Sequence, residues 1–300
     1  MTKLSHILAA TDFSEPSLIA VDRATQLANQ HQASLTVFHG FNSGQLGPLP
    51  RGFGDLLSDA RASFKKETQD RLQMIAAKQK AQGKAAISAL MLEGNSQEVL
   101  AEAINQSKAE LLVLGAHGEG YWHELFLGSY ISSLLAHSTV PVLVAKQAPT
   151  TEYKNILVPV DFSNASKTLI QLAQTIAPNA RKTLLHIPSA PLEGMMRLKN
   201  ASPEELLHYK QLCTDEAQTK LNKLLVSIGD PSFTAKLVGQ NYAPSEIISF
   251  QMDNQCDLVL IGKHGAGYVS DLLIGSVTKL VISNVSCDTL VSVDPPLVKK

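Results

Sequence analysis

The residue types with chemistry to offer sit in two matching stretches. Gly262-Lys263-His264-Gly265 is followed, after nine residues, by Gly275-Ser276-Val277, and Gly115-Ala116-His117-Gly118 is followed, after nine, by Gly128-Ser129-Tyr130. Each comes straight after a short apolar run, 111–114 or 258–261, and precedes residues with helical spacing, so both read as strand, loop, helix. That context suits an anion. A glycine at the end of a strand permits close backbone approach, and one just before a helix leaves its first N–H groups unobstructed. Ser129 and Ser276 would add hydroxyl donors. A phosphate group is the natural guest, although the same glycines would serve tight turns and helix packing equally well.

Two carboxylates and four imidazoles stand in matching places. Asp12 closes the apolar run 7–10, and Asp161 closes 156–160; each would contact a ligand or cap the helix that follows, Asp being a favoured cap. His39 and His186 end apolar strands and read as structural, while His117 and His264 read as hydrogen-bonded loop residues, with no second ligand at metal spacing beside either. Tyr121 and Trp122 would stack on a base or cover apolar surface.

These residues need elements to place them, and the chain supplies the same series twice. An apolar strand 6–12 leads into helical spacing over 17–30, a strand at 33–39, a Gly- and Pro-rich loop at 40–54 and a long amphipathic helix over 56–82. A third strand at 85–92, a helix over 98–107 behind Gly94-Asn95-Ser96, the strand 111–114, a helix over 129–137 and a fifth strand at 140–145 follow. Pro141 inclines that last strand to an edge. From residue 153 the order begins again: Asp161 answers Asp12, His186 answers His39, Glu246 answers Glu98 and Gly262 answers Gly115, at offsets of 149, 147, 148 and 147. The chain is therefore a tandem duplication, with domains at 1–147 and 153–300 and a linker around 147–152. Alternating strands and helices predict α/β domains, each with a parallel sheet covered on both faces.

Composition bounds the function. With 44% hydrophobic and 18% charged residues, the 300-residue chain has ample material for two cores. A formal net charge of -1 offers no basic face to nucleic acid. No apolar run reaches membrane-spanning length, and the short apolar stretch at the N-terminus does not read as a signal peptide, so a cytoplasmic protein with no membrane partner is expected. Cys213, Cys256 and Cys287 follow no metal-ligand pattern and predict no metal site.

The doubled glycine motif, and the runs Ile7-Leu-Ala-Ala-Thr-Asp-Phe-Ser14 and Ile156-Leu-Val-Pro-Val-Asp-Phe-Ser163, resemble the universal stress protein family over nearly the whole chain. The resemblance implies two open five-stranded parallel sheets in order 3-2-1-4-5. It implies ATP or a related adenine nucleotide, with Mg²⁺ as a companion of the phosphates, bound where the strand order reverses. Carried onto this sequence, it assigns base and ribose contacts to Ala10, Thr11, Asp12 and Gly40, and to Pro159, Val160, Asp161 and Ile187. Phosphate contacts fall to Gly115, Gly118, Gly128 and Ser129, and to Gly262, Gly265, Gly275, Ser276 and Val277. It further implies domains that pair through their fifth strands, internally in a tandem chain and within a dimer or larger homo-oligomer otherwise, and a regulatory role in stress with a protein partner the sequence does not name. The second copy keeps Pro159 and Val277, where the first has Ala10 and the bulkier Tyr130.

Catalytic apparatus is not evident. The sequence has no P-loop, no Gly-x-Ser-x-Gly elbow, no His-Glu-x-x-His and no kinase signature. Retention of a nucleotide is therefore the expected activity, with slow hydrolysis or phosphorylation of Ser129 or Ser276 as its enzymatic limit. A scaffold that has kept the fold and lost the ligand is the competing expectation.

Overall fold

In the computed structural model, residues 3–41, 54–116, 129–239, 242–264 and 274–293 are described. The chain divides into two compact units, Met1–Glu152 and Tyr153–Lys300.

Unit 1 is built from β1 (His6–Ala10), α1 (Glu15–His31), β2 (Ser34–Phe41), α2 (Gly54–Lys80), β3 (Ile87–Glu93), α3 (Ser96–Ser107), β4 (Leu111–Gly115), α4 (Ser129–His137) and β5 (Val142–Ala145). Its strands lie in the order β3-β2-β1-β4-β5, with parallel ladders. Every residue of β4 and β5 is buried, as expected of parallel strands covered on both faces, and this is why their sequences run apolar without alternation. Helix α1 lays Ala20, Val21, Ala24, Leu27 and Ala28 against the sheet, a spacing that keeps them on one face. Small residues there let the helix sit close.

Unit 2 repeats the plan with β6 (Asn155–Pro159), α5 (Asn164–Ile176), β7 (Arg181–His186), α6 (Glu193–Leu198), α7 (Pro203–Ile228), β8 (Phe233–Leu237), α8 (Ala243–Asp253), β9 (Leu258–Gly262), α9 (Ser276–Asn284) and β10 (Asp288–Ser292). Its order is β8-β7-β6-β9-β10, again parallel. The 3-2-1-4-5 order is thus present in each half. Helix α7 starts on a complete capping box, Ser202 with Glu205, and Pro203 sits in the first turn where its missing N–H costs nothing. Tyr153 ties the start of this unit to β10 through a buried bond from its hydroxyl to Asp288 Oδ2, 2.6 Å.

One boundary differs in a way that matters for the site. Gly40 was expected in the loop after the second strand, yet it lies within β2, opposite Leu92 of β3. The ladder persists to Phe41 and Glu93 because β3 continues beside it, and Glu93 is held by Arg61 and Lys65 of α2. Among the described residues, no helix is long and apolar enough to cross a membrane.

The floor of unit 2 carries an unusual group. Lys182 is fully buried, and its ammonium donates to Pro178 O at 3.1 Å, Ala180 O at 2.8 Å and Ser232 Oγ at 3.1 Å. Burial lowers its pKa, and the nearby Asp230 carboxylate opposes that shift. All three ammonium protons have acceptors, so the charge is tolerated and the α7–β8 turn is fastened to the start of β7. Replacing Lys182 by Ala would orphan these acceptors and open a void. The unfolding free energy should drop by about 3 kcal/mol. Urea melts of the full chain would read it; a loss well below 1 kcal/mol would show that the acceptors find water instead.

Candidate functional site

In both units the strand order reverses between the first and fourth strands, and these part at their carboxyl ends. The β1–β4 ladder runs from Ile7–Leu111 to Ala9–Val113, and the β6–β9 ladder from Ile156–Leu258 to Leu157–Val259. Beyond those pairs lie Ala10, Thr11 and Asp12 opposite Gly115, and Pro159, Val160 and Asp161 opposite Gly262. Crevices of this kind are where open α/β sheets take ligands.

The turn after the first strand is built alike in both units. Thr11 N–H donates to Phe38 O, and Val160 N–H to Leu185 O, each at 2.8 Å. The carbonyls of the same two residues accept from His39 Nδ1 and His186 Nδ1, both at 2.7 Å. Asp12 Oδ1 then accepts from Ser14 N at 3.0 Å, and Asp161 Oδ1 from Ser163 N at 3.0 Å. Between them Phe13 and Phe162 take left-handed backbone angles, φ 69 and 62°. That conformation costs a residue with a β-carbon about 1–2 kcal/mol. Each phenyl ring is repaid by stacking on the histidine, at centroid distances of 4.5 and 4.3 Å. The aspartates are thus not N-caps themselves; Ser14 and Ser163 hold that position, and the carboxylates brace the turn before it.

The copies part company over the serines. In unit 1 the Ser14 hydroxyl donates to Asp12 Oδ1 at 2.5 Å and caps α1 by accepting from Ser17 N. Ser17 is itself engaged by Thr11 Oγ1 at 2.9 Å. In unit 2 Val160 stands where Thr11 does and offers no hydroxyl. Ser166, the counterpart of Ser17, turns to the aspartate: its hydroxyl donates to Asp161 Oδ1 at 3.0 Å and accepts from Asp161 N at 3.2 Å. Ser163 Oγ is left buried and unpartnered, and α5 has no side-chain cap.

The glycines divide similarly. A β-carbon on Gly115 would come within 2.8 Å of the Pro16 carbonyl group and Ser17 N, so this glycine admits the protein's own α1 backbone. At Gly262 the equivalent contact is looser, Ala165 Cβ at 3.7 Å, with His264 O at 2.9 Å on the loop itself. Gly275 N–H donates to Lys263 O at 3.0 Å and forms the N-cap of α9, which has no side-chain cap. Thr278 Oγ1 donates to Gly262 O at 2.7 Å, fastening the first turn of α9 to the end of β9. Sequence reading missed Thr278. Its signal was available, since residue 131 in the matching place is Ile and cannot make the bond.

Of the other expected residues, Ile187 follows β7 and is half-buried, Ser276 is exposed and Val277 half-buried on the first turn of α9. Ser129 opens α4. Gly118, Gly128, Gly265, His117, Tyr121 and Trp122 lie outside the described residues. The described thiols include Cys256, whose burial pushes its pKa up to about 11, an inert environment.

Burial holds the imidazoles of His6, His39 and His186 below the ordinary value of 6.5. Around His39, the Asp12 charge opposes that shift and Arg71 adds to it; Asp161 and Lys220 act likewise on His186. The unfolded chain therefore takes up these protons first. Their contribution to stability is intact above about pH 6.5 and is lost as the pH falls below it. The melting temperature should decline from about pH 7.5 to about pH 5.5, and the decline should flatten when His39 and His186 are both replaced by Phe. An unchanged slope in that variant would mean that these imidazoles titrate normally.

This geometry has relatives. A universal stress protein of Thermus aquaticus, encoded in the QAH/OAS sulfhydrylase 3' region, is 29% identical over 140 residues, 47% of this chain and 97% of its own length. Universal stress protein MJ0577 of Methanocaldococcus jannaschii is 26% identical over 152 residues, 46% of this chain and 94% of its own. A solved universal stress protein of Archaeoglobus fulgidus shares the fold across 96% of this chain and 97% of its own, with a TM-score of 0.64 at 15% identity. The universal stress protein family matches twice, over residues 3–146 and 152–292. With nearly all of its length accounted for by two consecutive copies, this chain belongs to the universal stress protein family.

Proposed function

We propose that the chain binds ATP or a related adenine nucleotide in the crevice of unit 2 and acts as a regulatory module in a stress response. The observation that carries this reading is the pair of helix N-termini at the mouth of that crevice. Helices α5 and α9 begin at the carboxyl ends of β6 and β9, neither has a side-chain cap, and Ser163 Oγ beside the first is buried without a partner. Uncapped first-turn amides carry partial positive charge and suit a polyphosphate. In this reading the amides of Ser276 and Val277 face the phosphates, with Gly262, Gly265 and Gly275 shaping the loop, the Gly275 amide being held by Lys263 O. Asp161 would accept from ribose hydroxyls, and Pro159, Val160 and Ile187 would border the base. Mg²⁺ would enter with the phosphates.

A second reading applies to unit 1. There Ser14 caps α1 and bonds Asp12, and the α1 backbone fills the space beside Gly115. Those features favour a unit that keeps the fold with a weaker nucleotide site, formed by Ala10, Thr11, Asp12, Gly40, Gly115, Gly118, Gly128 and Ser129, or one that serves as a scaffold for another protein. Retention without turnover is the activity expected of both, since the sequence carries no P-loop or kinase signature.

Nucleotide bound only by the folded form raises the melting temperature by linkage, and about 2.7 kcal/mol is gained at a hundredfold excess over Kd. Millimolar ATP should therefore shift the parent chain upward. Gly275→Glu, which places a carboxylate among the first amides of α9 and crowds Lys263 O, should lose most of the shift. Mass spectrometry of the freshly purified, acid-denatured chain should detect an adenine nucleotide. A parent chain with neither retained nucleotide nor thermal shift would leave the scaffold reading for both units.

A further inference from the structure

The imidazoles of His39 and His186 hold the chain on both sides of Asp12 and Asp161. On the near side, the carbonyl of Thr11 or Val160 accepts from Nδ1 at 2.7 Å, while the N–H of the same residue is held at 2.8 Å by the neighbouring strand. A carbonyl belongs to the same rigid plane as the next residue's nitrogen, so fixing it fixes the direction in which the aspartate leaves the strand. On the far side, the left-handed Phe13 or Phe162 folds its ring back onto the same imidazole. The two ends of a three-residue turn thus meet on one side chain, and the aspartate is the residue between.

We propose that His39 and His186 are positioning residues for the nucleotide site: each aims its aspartate at the crevice by gripping the carbonyl before it and the phenyl ring after it. This rests on the nucleotide reading above and adds to it the group that sets the ribose-facing carboxylate. A histidine that merely ended a strand would need neither the left-handed phenylalanine nor equal bond lengths in two copies whose gripped residue differs, Thr11 in one and Val160 in the other. A carbonyl acceptor also demands a proton on Nδ1, which selects one tautomer of the neutral ring. The charges that face each imidazole repeat as well. Asp12 and Asp161 lie on the turn, and Arg71 of α2 and Lys220 of α7 on the long helix, with Arg71 seated 4.6 Å from the centre of the Phe13 ring.

The roles of donor and ring separate by substitution. Asn places an amide donor near the Nδ1 position without a ring to stack, and Phe keeps the ring without the donor. Three full-length variants carry Ala, Asn or Phe at both His39 and His186, and ATP binding is measured by calorimetry beside urea melts. The Ala pair should weaken ATP binding at least tenfold, the Asn pair should recover most of it, and the Phe pair should regain stability while binding as poorly as the Ala pair. Nitrogen-15 spectra of the parent should show the Nδ1–H tautomer for both rings. Parent-like affinity in the Ala pair, an Asn pair no better than Phe, or the Nε2–H tautomer overturns the inference and leaves nucleotide binding intact. Should the Ala pair fail to fold, the Asn and Phe comparison decides alone. A parent chain that binds no ATP overturns the nucleotide reading and this inference together.

Discussion

Two neighbouring strands that send their crossovers in opposite directions cannot stay paired to their ends. Connections carry the chain from β1 towards β2 and from β4 towards β5, on opposite sides of the β1–β4 line, and the two strands separate where those connections leave. Everything else in each unit answers to that separation. The carbonyl ending the first strand loses its ladder partner and is taken by a histidine; the glycine ending the fourth strand makes room for whatever lies across the gap. The two helices that begin there bring their unsatisfied amides with them.

The two copies fill the gap differently. In unit 1 a threonine at position 11 engages Ser17, Ser14 caps α1 while bonding Asp12, and the helix backbone presses on Gly115. Valine at position 160 removes the first link. Ser166 then goes to Asp161, the Ser163 hydroxyl is stranded, and the helix stands farther from Gly262. The exchange of a hydroxyl for a methyl at this position goes with a different pairing of two serines, and it is the Ser163 hydroxyl that ends buried without a partner. A cap is worth about 1 kcal/mol, so the missing cap at α5 is a modest cost in stability.

Outside the crevices the units are ordinary in their energetics. Short parallel strands buried on both faces, β4, β5, β9 and β10 above all, supply the cores, and the exposed ion pairs along α2 and α7 add little. Lys182 stands out among the described residues as a fully buried ammonium, made acceptable by three acceptors converging on it. It lies at the amino end of β7, away from the crevice at the carboxyl ends.

Much of this was legible in the sequence because it depends on local spacing. The duplication, the alternation of strand and helix, Asp12 and Asp161 at strand ends, and the start of α4 and α9 at a serine all follow from residue type and periodicity. Gly40 misled because glycine signals a loop, whereas pairing with β3 keeps it in β2, and pairing is decided across the sheet. His39 and His186 were readable as structural; that they bond the carbonyl one residue before the aspartate, 26 or 28 positions away, was not. Sequence alone determined that there would be two crevices with glycines and an aspartate at each, since those residues sit where strands must end. Only the tertiary structure decided which hydroxyls are spent inside the protein, because that depends on which side chains the fold brings within 3 Å of one another.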